Sequence, residues 1–334
     1  MLGKVGLEEH FAIADTLEDS KVFLPERVWP ELSSRLLDLQ DKRLAFMDRH
    51  GVELMIVSLN APAIQAIPSP ARANELARRA NDALAEQVVR RPARFAALAA
   101  LPLQDPELAI RELERCVKEL GFCGALANGF SQVGDAQTVR YYDLPQYWPF
   151  WQALQRLDVP FYLHPRNPLP NMAPIYEGHA WLLGPTWAFG VETATHALRL
   201  MGSGLFDEYP RLNIVLGHLG EGLPSSIWRV DHRNGWVQKD RPPSESPHRC
   251  RARKRMGEYW RRNFHVTTAG NFRTQTLIDA MLELGAERIL FSTDYPFEDV
   301  GDAAEWFDAV PVSEADRQKM GRENAIRLFK LKLN

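Results

Sequence analysis

Acidic and imidazole side chains stand directly after short apolar runs at several places in the chain. Glu8 and His10 follow the run VGL, and the two-residue periodicity of a β-strand would put both on one face with Glu9 on the other. Taken alone, such a pair more often is a surface carboxylate beside a hydrogen-bonded histidine than a pair of metal ligands. The pair indicates a metal site only if other strands place similar side chains at the same edge of the sheet.

Three later apolar runs end in the same kinds of residue. PFYL ends at His164, NIVL is followed by His218 and Glu221, and ILF is followed by Asp294. If these runs are parallel strands of one sheet, their carboxyl ends meet at one edge, and chance placement there is a poor explanation. The set therefore predicts a metal site with acid–base groups beside it.

Imidazole and carboxylate ligands without a thiol suit a borderline-to-hard divalent ion such as Zn²⁺ or Mn²⁺, and ligand type does not choose between them. The three cysteines, Cys116, Cys123 and Cys250, have no CxxC spacing. Neither a disulfide framework nor a thiolate zinc site is expected from them. No organic cofactor is indicated.

Eight β-rich runs alternate with helix-like segments, the order expected of parallel strands joined by helical crossovers. The predicted strands cover 4–7, 54–59, 95–101, 124–126, 160–163, 213–216, 264–267 and 289–292. Two of the intervening segments, 72–90 and 106–120, carry apolar residues at helical spacing. An α/β fold, a (β/α)8 TIM barrel, is predicted. A doubly wound open sheet is the alternative, although no GxGxxG or GxxxxGK[ST] motif opens a helix after the first strand.

The whole chain, 1–334, is expected to form one barrel domain with long insertions. Two segments, near 12–39 and 165–185, are too long and irregular for simple connectors, and such loops usually serve as lids or binding walls. A polar arm near 236–255 is rich in proline and arginine. Its charges fit a solvated surface or a subunit contact better than a nucleic-acid patch.

Composition excludes several classes of partner. With 40 basic and 43 acidic residues interspersed and a net charge of -3, the chain has no basic field to neutralise a phosphate backbone. No apolar stretch approaches the roughly 20 residues needed to span a bilayer, and the first residues lack a signal-peptide core. We therefore expect no nucleic acid, no membrane and a cytoplasmic location.

Longer motifs give a more specific indication. The segments LEEHF, SLNAPAIQAI, FYLHPRNPLP, WLLGPTWAFG, GHLGEGLP, GNFRTQTLIDA and FSTDYPFE closely resemble the γ-resorcylate (2,6-dihydroxybenzoate) decarboxylases, a branch of the amidohydrolase superfamily. The similarity runs from Gly3 to the C-terminus. It implies a metal-dependent barrel of the amidohydrolase type that removes carboxylate from 2,6-dihydroxybenzoate, and a homotetramer or homodimer.

Carried over residue by residue, the resemblance implies a set of four metal ligands: Glu8, His10, His164 and Asp294. It also implies that His218 is a catalytic histidine oriented by the carboxylate of Glu221. Many hydrolytic relatives open with HxH and carry a bridging lysine after strand four. Here the first position is Glu8 and strand four leads to Asn128, so a single divalent ion per chain is expected.

Decarboxylation of an aromatic acid needs a proton at the carbon that bears the carboxylate, because direct loss of CO2 would leave an aryl carbanion. Asp294 is expected to deliver that proton, as a catalytic acid beside the metal. His218 with Glu221 is expected to act as an oriented base. A histidine that merely hydrogen-bonds a loop is the alternative for His218.

A planar aromatic substrate is best held by apolar walls and a few polar contacts. The residues expected to contact the substrate are Phe23, Asn128, His164, Phe189, His218, Arg229 and Phe297. Each phenylalanine alone is more often a core residue. Asn128 could be structural, and Arg229 could be exposed or bridge two subunits.

Two other functions remain open. A metal-dependent hydrolase of a lactone or amide would use the same ligands, with Asp294 as the base that activates water. A non-catalytic protein that binds aromatic acids would retain the barrel without turnover.

Overall fold

Eight parallel strands form one sheet in which neighbours along the chain are neighbours in space. The structure, a computed structural model, describes residues 1–239 and 250–333, and the side chains of Phe23 and 236–239 are outside that description. The strands are β1 (Lys4–Phe11), β2 (Val52–Leu59), β3 (Phe95–Ala100), β4 (Gly124–Asn128), β5 (Phe161–His164), β6 (Ile214–Leu216), β7 (Phe264–Thr267) and β8 (Ile289–Leu290).

The sheet curves until its two edge strands approach each other. The His10 N–H donates to the Tyr295 carbonyl at 2.6 Å, and the Glu8 N–H donates to Ser292 Oγ at 2.8 Å, which joins β1 to the segment after β8. Eight parallel strands in sequential order, closed in this way and surrounded by helices, form a (β/α)8 barrel. The predicted fold is confirmed.

Helices follow the strands and cover the outside of the sheet. They are α1 (Trp29–Leu37), α2 (Lys42–His50), α3 (Pro70–Arg90), α4 (Pro106–Lys118), α5 (Trp148–Leu157), α6 (Ala188–Gly202), α7 (Leu205–Glu208), α8 (Leu223–Lys239), α9 (Met256–Asn263), α10 (Thr274–Leu284), α11 (Val300–Ala309), α12 (Glu314–Gln318) and α13 (Asn324–Phe329). A π-helical turn, Lys319–Glu323, joins α12 to α13.

Local sequence explains where the two longest outer helices begin. Ser69 caps α3 by accepting the Arg72 N–H, and Asp105 caps α4 by accepting the N–H groups of Glu107 and Leu108. In both helices proline is the first helical residue, where its missing N–H leaves no bond unmade. The predicted helices at 72–90 and 106–120 are confirmed with small changes at their ends.

Alternation along the strands divides the core into two layers. One buried cluster fills the barrel interior and includes Val5, Leu7, Leu54, Ile56, Leu98, Leu126, Tyr162, Val215 and Leu290, with Phe329 of α13 packed against it. The larger cluster lies between the strands and the helices. The amino ends of the strands are thereby closed by α13, whereas their carboxyl ends carry the ionisable residues.

The long segments are partly regular. Contrary to the prediction, 12–39 is not irregular throughout, because it contains a 3-10 helix at Leu17–Phe23 and then α1, whose Trp29, Leu32 and Leu36 are buried at helical spacing. The segment 165–185 is irregular as expected, with 3-10 turns at Pro170–Met172, Pro174–Tyr176, Ala180–Leu182 and Gly184–Thr186. Much of the predicted polar arm, 240–249, is outside the described residues.

The shorter elements are the two strands of a hairpin and three further 3-10 turns. A two-stranded antiparallel hairpin pairs Ser131–Gln132 with Val139–Arg140. Other 3-10 turns cover Ala63–Ala66, Pro145–Tyr147 and Ala286–Arg288. Among the described residues no helix combines the length and apolar character that a bilayer crossing requires.

Candidate active site

Glu8 is fully buried on β1, and its two oxygens have different surroundings. Oε2 accepts hydrogen bonds from the Tyr162 hydroxyl and, at 3.2 Å, from Thr267 Oγ1. Oε1 lies 3.1 Å from His164 Nε2 and has no hydrogen-bond partner in the part of the chain that the structure describes. A β-carbon at Gly217 would come within 2.6 Å of Oε2, so glycine at that position leaves the space that the carboxylate occupies.

The sequence placed β1 only at 4–7, with Glu8 and His10 after the strand. In the structure β1 continues to Phe11 because His10 and Phe11 still pair with β2. Glu8 and His10 nevertheless share a face, as predicted, since strand periodicity applies to both.

Glu8, His10 and His164 form a buried cluster whose possible ligand atoms all lie within 4.8 Å of one another. The two imidazole rings meet edge-on with their centroids 4.7 Å apart. Among the described residues, both ring nitrogens of His10 and Nδ1 of His164 have no hydrogen-bond partner. Unpaired buried polar atoms are costly, so this donor set fits a cation that several of these atoms could bind together.

Asp294 stands beside the cluster rather than within it. Its Oδ1 lies 3.4 Å from His10 Nε2, and its Oδ2 lies 3.8 Å from His218 Nε2. Burial alone would raise the pKa of Asp294, but the two imidazoles outweigh burial and hold that pKa well below its usual value. Asp294 therefore links the metal-ligand cluster to His218.

His218 is held from its other side by Glu221. Nδ1 of His218 is hydrogen-bonded to Glu221 Oε1 at 2.7 Å. Burial opposes charge on the imidazole, yet the carboxylates of Glu221 and Glu8 outweigh burial and hold the pKa of His218 well above its usual value. The arrangement favours a protonated imidazole that faces Asp294.

The sequence analysis missed the role of Glu9. This buried carboxylate accepts the Thr293 N–H at 2.9 Å, the Thr293 hydroxyl at 2.5 Å and the Tyr295 N–H at 3.2 Å. Burial raises the pKa of Glu9 to about 7, against the opposing effect of these hydrogen bonds. Glu9 thus fixes the segment that carries Asp294. In the sequence, its one distinguishing signal was the alternation of β1, which puts Glu9 on the opposite face from Glu8 and His10.

Backbone strain is concentrated at the same residues. His218, Leu219, Glu221 and Asp294 adopt positive φ angles of 52°, 58°, 55° and 64°. Such conformations are unfavourable for residues with a side chain and persist where the surrounding structure imposes them. The loops after β6 and β8 are therefore shaped to aim His218 and Asp294.

A cavity of about 680 Å³ opens beside His218 and Glu221. Phe189, at the start of α6, and Trp187 contribute to its wall. The ring of Phe297 packs edge-on against His10 with centroids 5.5 Å apart. Phe189 thus lines the cavity and Phe297 lies beside His10, and their contacts with substrate stay predictions.

The remaining predicted contact residues have different surroundings. Asn128 Nδ2 donates to the carbonyls of Asn60 and Pro62, at 3.0 and 3.3 Å, while its buried Oδ1 has no partner. Arg229 is exposed on α8. Phe23 ends the 3-10 helix Leu17–Phe23, and its side chain lies outside the described residues. Contacts of these three residues with substrate stay predictions.

Comparison with known proteins places this geometry among enzymes. The family model described as amidohydrolase matches residues 27–331. A γ-resorcylate decarboxylase from Polaromonas sp. (strain JS666) is 65% identical over 331 residues, which cover 99% of each chain.

Two crystal structures are similar over almost the whole chain. One is 2,6-dihydroxybenzoate decarboxylase in complex with 2,6-dihydroxybenzoate, with a TM-score of 0.95 and 65% identity over 99% of this chain and 100% of that chain. The other is dihydroxybenzoic acid decarboxylase from Polaromonas sp. JS666 with manganese and the inhibitor 2-nitroresorcinol. Its TM-score is 0.95, with 64% identity over 100% of this chain and 98% of that chain.

Proposed function

The chain belongs to the amidohydrolase family, and from that premise we propose that it catalyses the reversible, non-oxidative decarboxylation of 2,6-dihydroxybenzoate to resorcinol and CO2. The observation that carries the proposal is the buried Glu8–His10–His164 cluster with the Asp294–His218–Glu221 chain beside it. Such a site combines a cation-binding pocket with a source of protons. It requires no organic cofactor.

One divalent ion per chain is proposed, held by Glu8, His10 and His164 and completed by Asp294. Manganese is the ion we favour, because the similar Polaromonas enzyme binds it. When bound, the ion supplies a Lewis acid for the carboxylate and the neighbouring phenolic oxygen of the substrate. Tyr162 and Thr267 would keep Oε2 of Glu8 hydrogen-bonded and so orient the carboxylate.

Proton transfer to C1 of the ring is the step assigned to Asp294. At rest the proton is held by His218, since the pKa of the imidazole is raised and that of Asp294 is lowered. Asp294 lies between His218 and His10 and would pass this proton to the ring carbon that bears the carboxylate. C–C cleavage then releases neutral CO2 and restores the aromatic ring.

Orientation and exclusion of water are assigned to the remaining residues. Glu221 fixes the tautomer and the angle of His218. Phe189 and Phe297 would hold the faces of the substrate ring, and Oδ1 of Asn128 could accept a phenolic hydroxyl. Phe23, in the long first loop, and Arg229, on the helix after His218, are proposed as further contacts from their places in the sequence alone. A cytoplasmic location, a single domain and a homo-oligomer likewise stay predictions from the sequence.

The proposal is tested by an ultraviolet assay on a panel of hydroxybenzoates, with CO2 and resorcinol measured and metal content determined on the same sample. Lactone and amide substrates are run in parallel, because a hydrolase could use the same ligands. Resorcinol and CO2 formed from 2,6-dihydroxybenzoate, without hydrolysis, are expected. Hydrolysis with no decarboxylation of any dihydroxybenzoate would overturn the proposal.

A further inference from the structure

A second cavity, of about 470 Å³, lies at the amino ends of the strands. We call it the floor cavity, since the candidate active site lies at the opposite, carboxyl ends. Pro160, Asn213 and Arg288, which line it, immediately precede β5, β6 and β8, and His265 is the second residue of β7. Residues at this face of a barrel are not needed for chemistry at the other face.

Two arginines in the floor cavity have no carboxylate partner among the described residues. Arg288 and Arg327 form no ion pair within 1–239 and 250–333, although two acidic residues also line the cavity. Of these, Glu287 is bound by Lys319 at 2.7 Å, and Asp158 is bound by Lys330. Each acidic group is thus already paired with a lysine within 4 Å, whereas Arg327 acts on Glu287 only at longer range, by helping to lower its pKa.

Both guanidinium groups are held in place by neutral groups. Arg288 Nη1 donates to His265 Nε2 at 2.9 Å. Arg327 Nη2 donates to the Glu287 carbonyl at 3.0 Å and to Asn324 Oδ1 at 2.8 Å. Arg288 is partly buried, and burial together with the charge of Arg327 lowers its pKa. Two like charges are therefore kept close together, which is unfavourable until an anion joins them.

His265 adds an unpaired hydrogen-bond donor. His265 Nε2 lies 2.9 Å from Arg288 Nη1, which can only donate, and 3.3 Å from Asn213 Oδ1. The shorter contact assigns Nε2 as an acceptor and the ring proton to Nδ1. Only 6% of His265 is exposed, and its Nδ1 has no hydrogen-bond partner within 1–239 and 250–333. A buried donor without an acceptor is costly, and an oxyanion would supply the acceptor.

We propose that the floor cavity binds the phosphate group of a small soluble molecule through Arg288 and Arg327. Paired guanidinium groups present planar donors that match several phosphate oxygens at once, and two of them balance a dianion. A monocarboxylate would need only one guanidinium group. The proposal does not depend on the reaction at the other end of the barrel.

The test is isothermal titration calorimetry of the metal-loaded enzyme in phosphate-free buffer, with inorganic phosphate, glycerol 3-phosphate, succinate and acetate as separate probes. The active site is first saturated with 2-nitroresorcinol, so that phosphate cannot be bound there. Arg288→Gln and Arg327→Gln are compared with Arg156→Gln, a surface arginine paired with Glu114 on an outer helix. Circular dichroism checks that each variant is folded.

One phosphate per chain is expected to bind, and either cavity substitution should weaken it by about tenfold, as loss of one charged hydrogen-bonding group does. Arg156→Gln should bind phosphate as the parent enzyme does, and decarboxylation should be unchanged in all three variants. Tighter binding of glycerol 3-phosphate than of inorganic phosphate would support a phosphate ester as the ligand. The proposal would be overturned by no binding of phosphate to the parent enzyme, by both cavity variants binding phosphate as tightly as the parent enzyme does, or by succinate or acetate binding as tightly as phosphate.

Discussion

The carboxylate of Glu9 accepts both the backbone N–H and the hydroxyl of Thr293, at 2.9 and 2.5 Å. Through this pair the first strand of the barrel fixes the segment that follows the last one. Asp294 is the next residue along the chain, with φ at 64°. Glu9 thus sets the position of the proposed proton donor, although Glu9 belongs neither to the metal-ligand cluster nor to the cavity wall.

Glu9→Gln should lower kcat by about 10–100-fold, the usual effect of losing a group that orients a metal site. In one orientation the amide nitrogen of the glutamine would face the Thr293 N–H. In the other orientation it would take the place of the oxygen that accepts the Tyr295 N–H, so a hydrogen bond is lost either way. Circular dichroism and KM should change little, which separates this positioning role from a general loss of fold. Turnover within twofold of the parent enzyme would show that the Thr293 segment holds its place without Glu9.

His164→Ala should remove most of the bound metal, because one of three clustered ligands is lost. Elemental analysis of the purified protein should give about one manganese per chain for the parent enzyme and far less for the variant. His179→Ala, an exposed histidine, is the matched control. Two ions per parent chain, or normal metal in His164→Ala, would contradict the assignment of one shared ion.

His218→Asn should lower kcat by ~10²–10⁴-fold while metal content stays near normal, because His218 is assigned to proton transfer and not to the ligand set. Glu221→Gln should have a smaller effect of the same kind, since it leaves the imidazole in place without its 2.7 Å partner. If the metal content of His218→Asn fell in proportion to its activity, His218 would instead be assigned as a metal ligand.

Much of this site could be predicted from the sequence because strand ends are local features. An apolar run that stops at an ionisable residue marks a carboxyl end, and this signal located Glu8, His164 and Asp294. The eight strands followed from the same pattern, with errors only at their ends. Helix α1 was missed because its three buried residues stand among prolines and polar residues in a segment interpreted as a loop.

Other features depend on contacts between distant parts of the chain. Glu9 and Thr293 are 284 residues apart, and no local pattern shows that they meet. Tyr162 was interpreted as an apolar strand residue, yet its hydroxyl binds Glu8 from within the barrel. The loop in which His218 has a positive φ is likewise bonded to distant residues, since the Leu219 N–H donates to the Thr267 carbonyl at 2.7 Å and Asn271 Nδ2 donates to the His218 carbonyl at 3.2 Å.

A buried histidine away from the site should make the fold sensitive to acid. His196 accepts the Tyr142 N–H at Nε2, and burial, aided by the charge of Arg199, lowers its pKa to about 3. In the unfolded chain its pKa is about 6.5. Between these values the unfolded state binds more protons, so the free energy of unfolding falls as pH decreases and is unaffected by His196 above this window.

Urea unfolding at pH 7 and pH 5 measures this effect. The parent enzyme should lose about 2 kcal/mol more than His196→Gln, which keeps an acceptor but does not titrate. His179→Gln, a substitution of an exposed histidine, is the control and should behave like the parent. An equal pH dependence of the parent and His196→Gln would show that His196 is protonated in the folded state.

The most direct test of the account follows the proton in heavy water by NMR, with 2,6-dihydroxybenzoate and metal-replete enzyme. The parent enzyme should release CO2 and resorcinol that carries one deuterium at the former carboxyl position, and it should slowly exchange that position in added resorcinol. Asp294→Asn should bind the substrate but give neither turnover nor exchange. If metal-replete Asp294→Asn forms or exchanges deuterated resorcinol at the parent rate, Asp294 does not deliver the proton; if the parent enzyme forms no resorcinol, the proposed reaction itself is wrong.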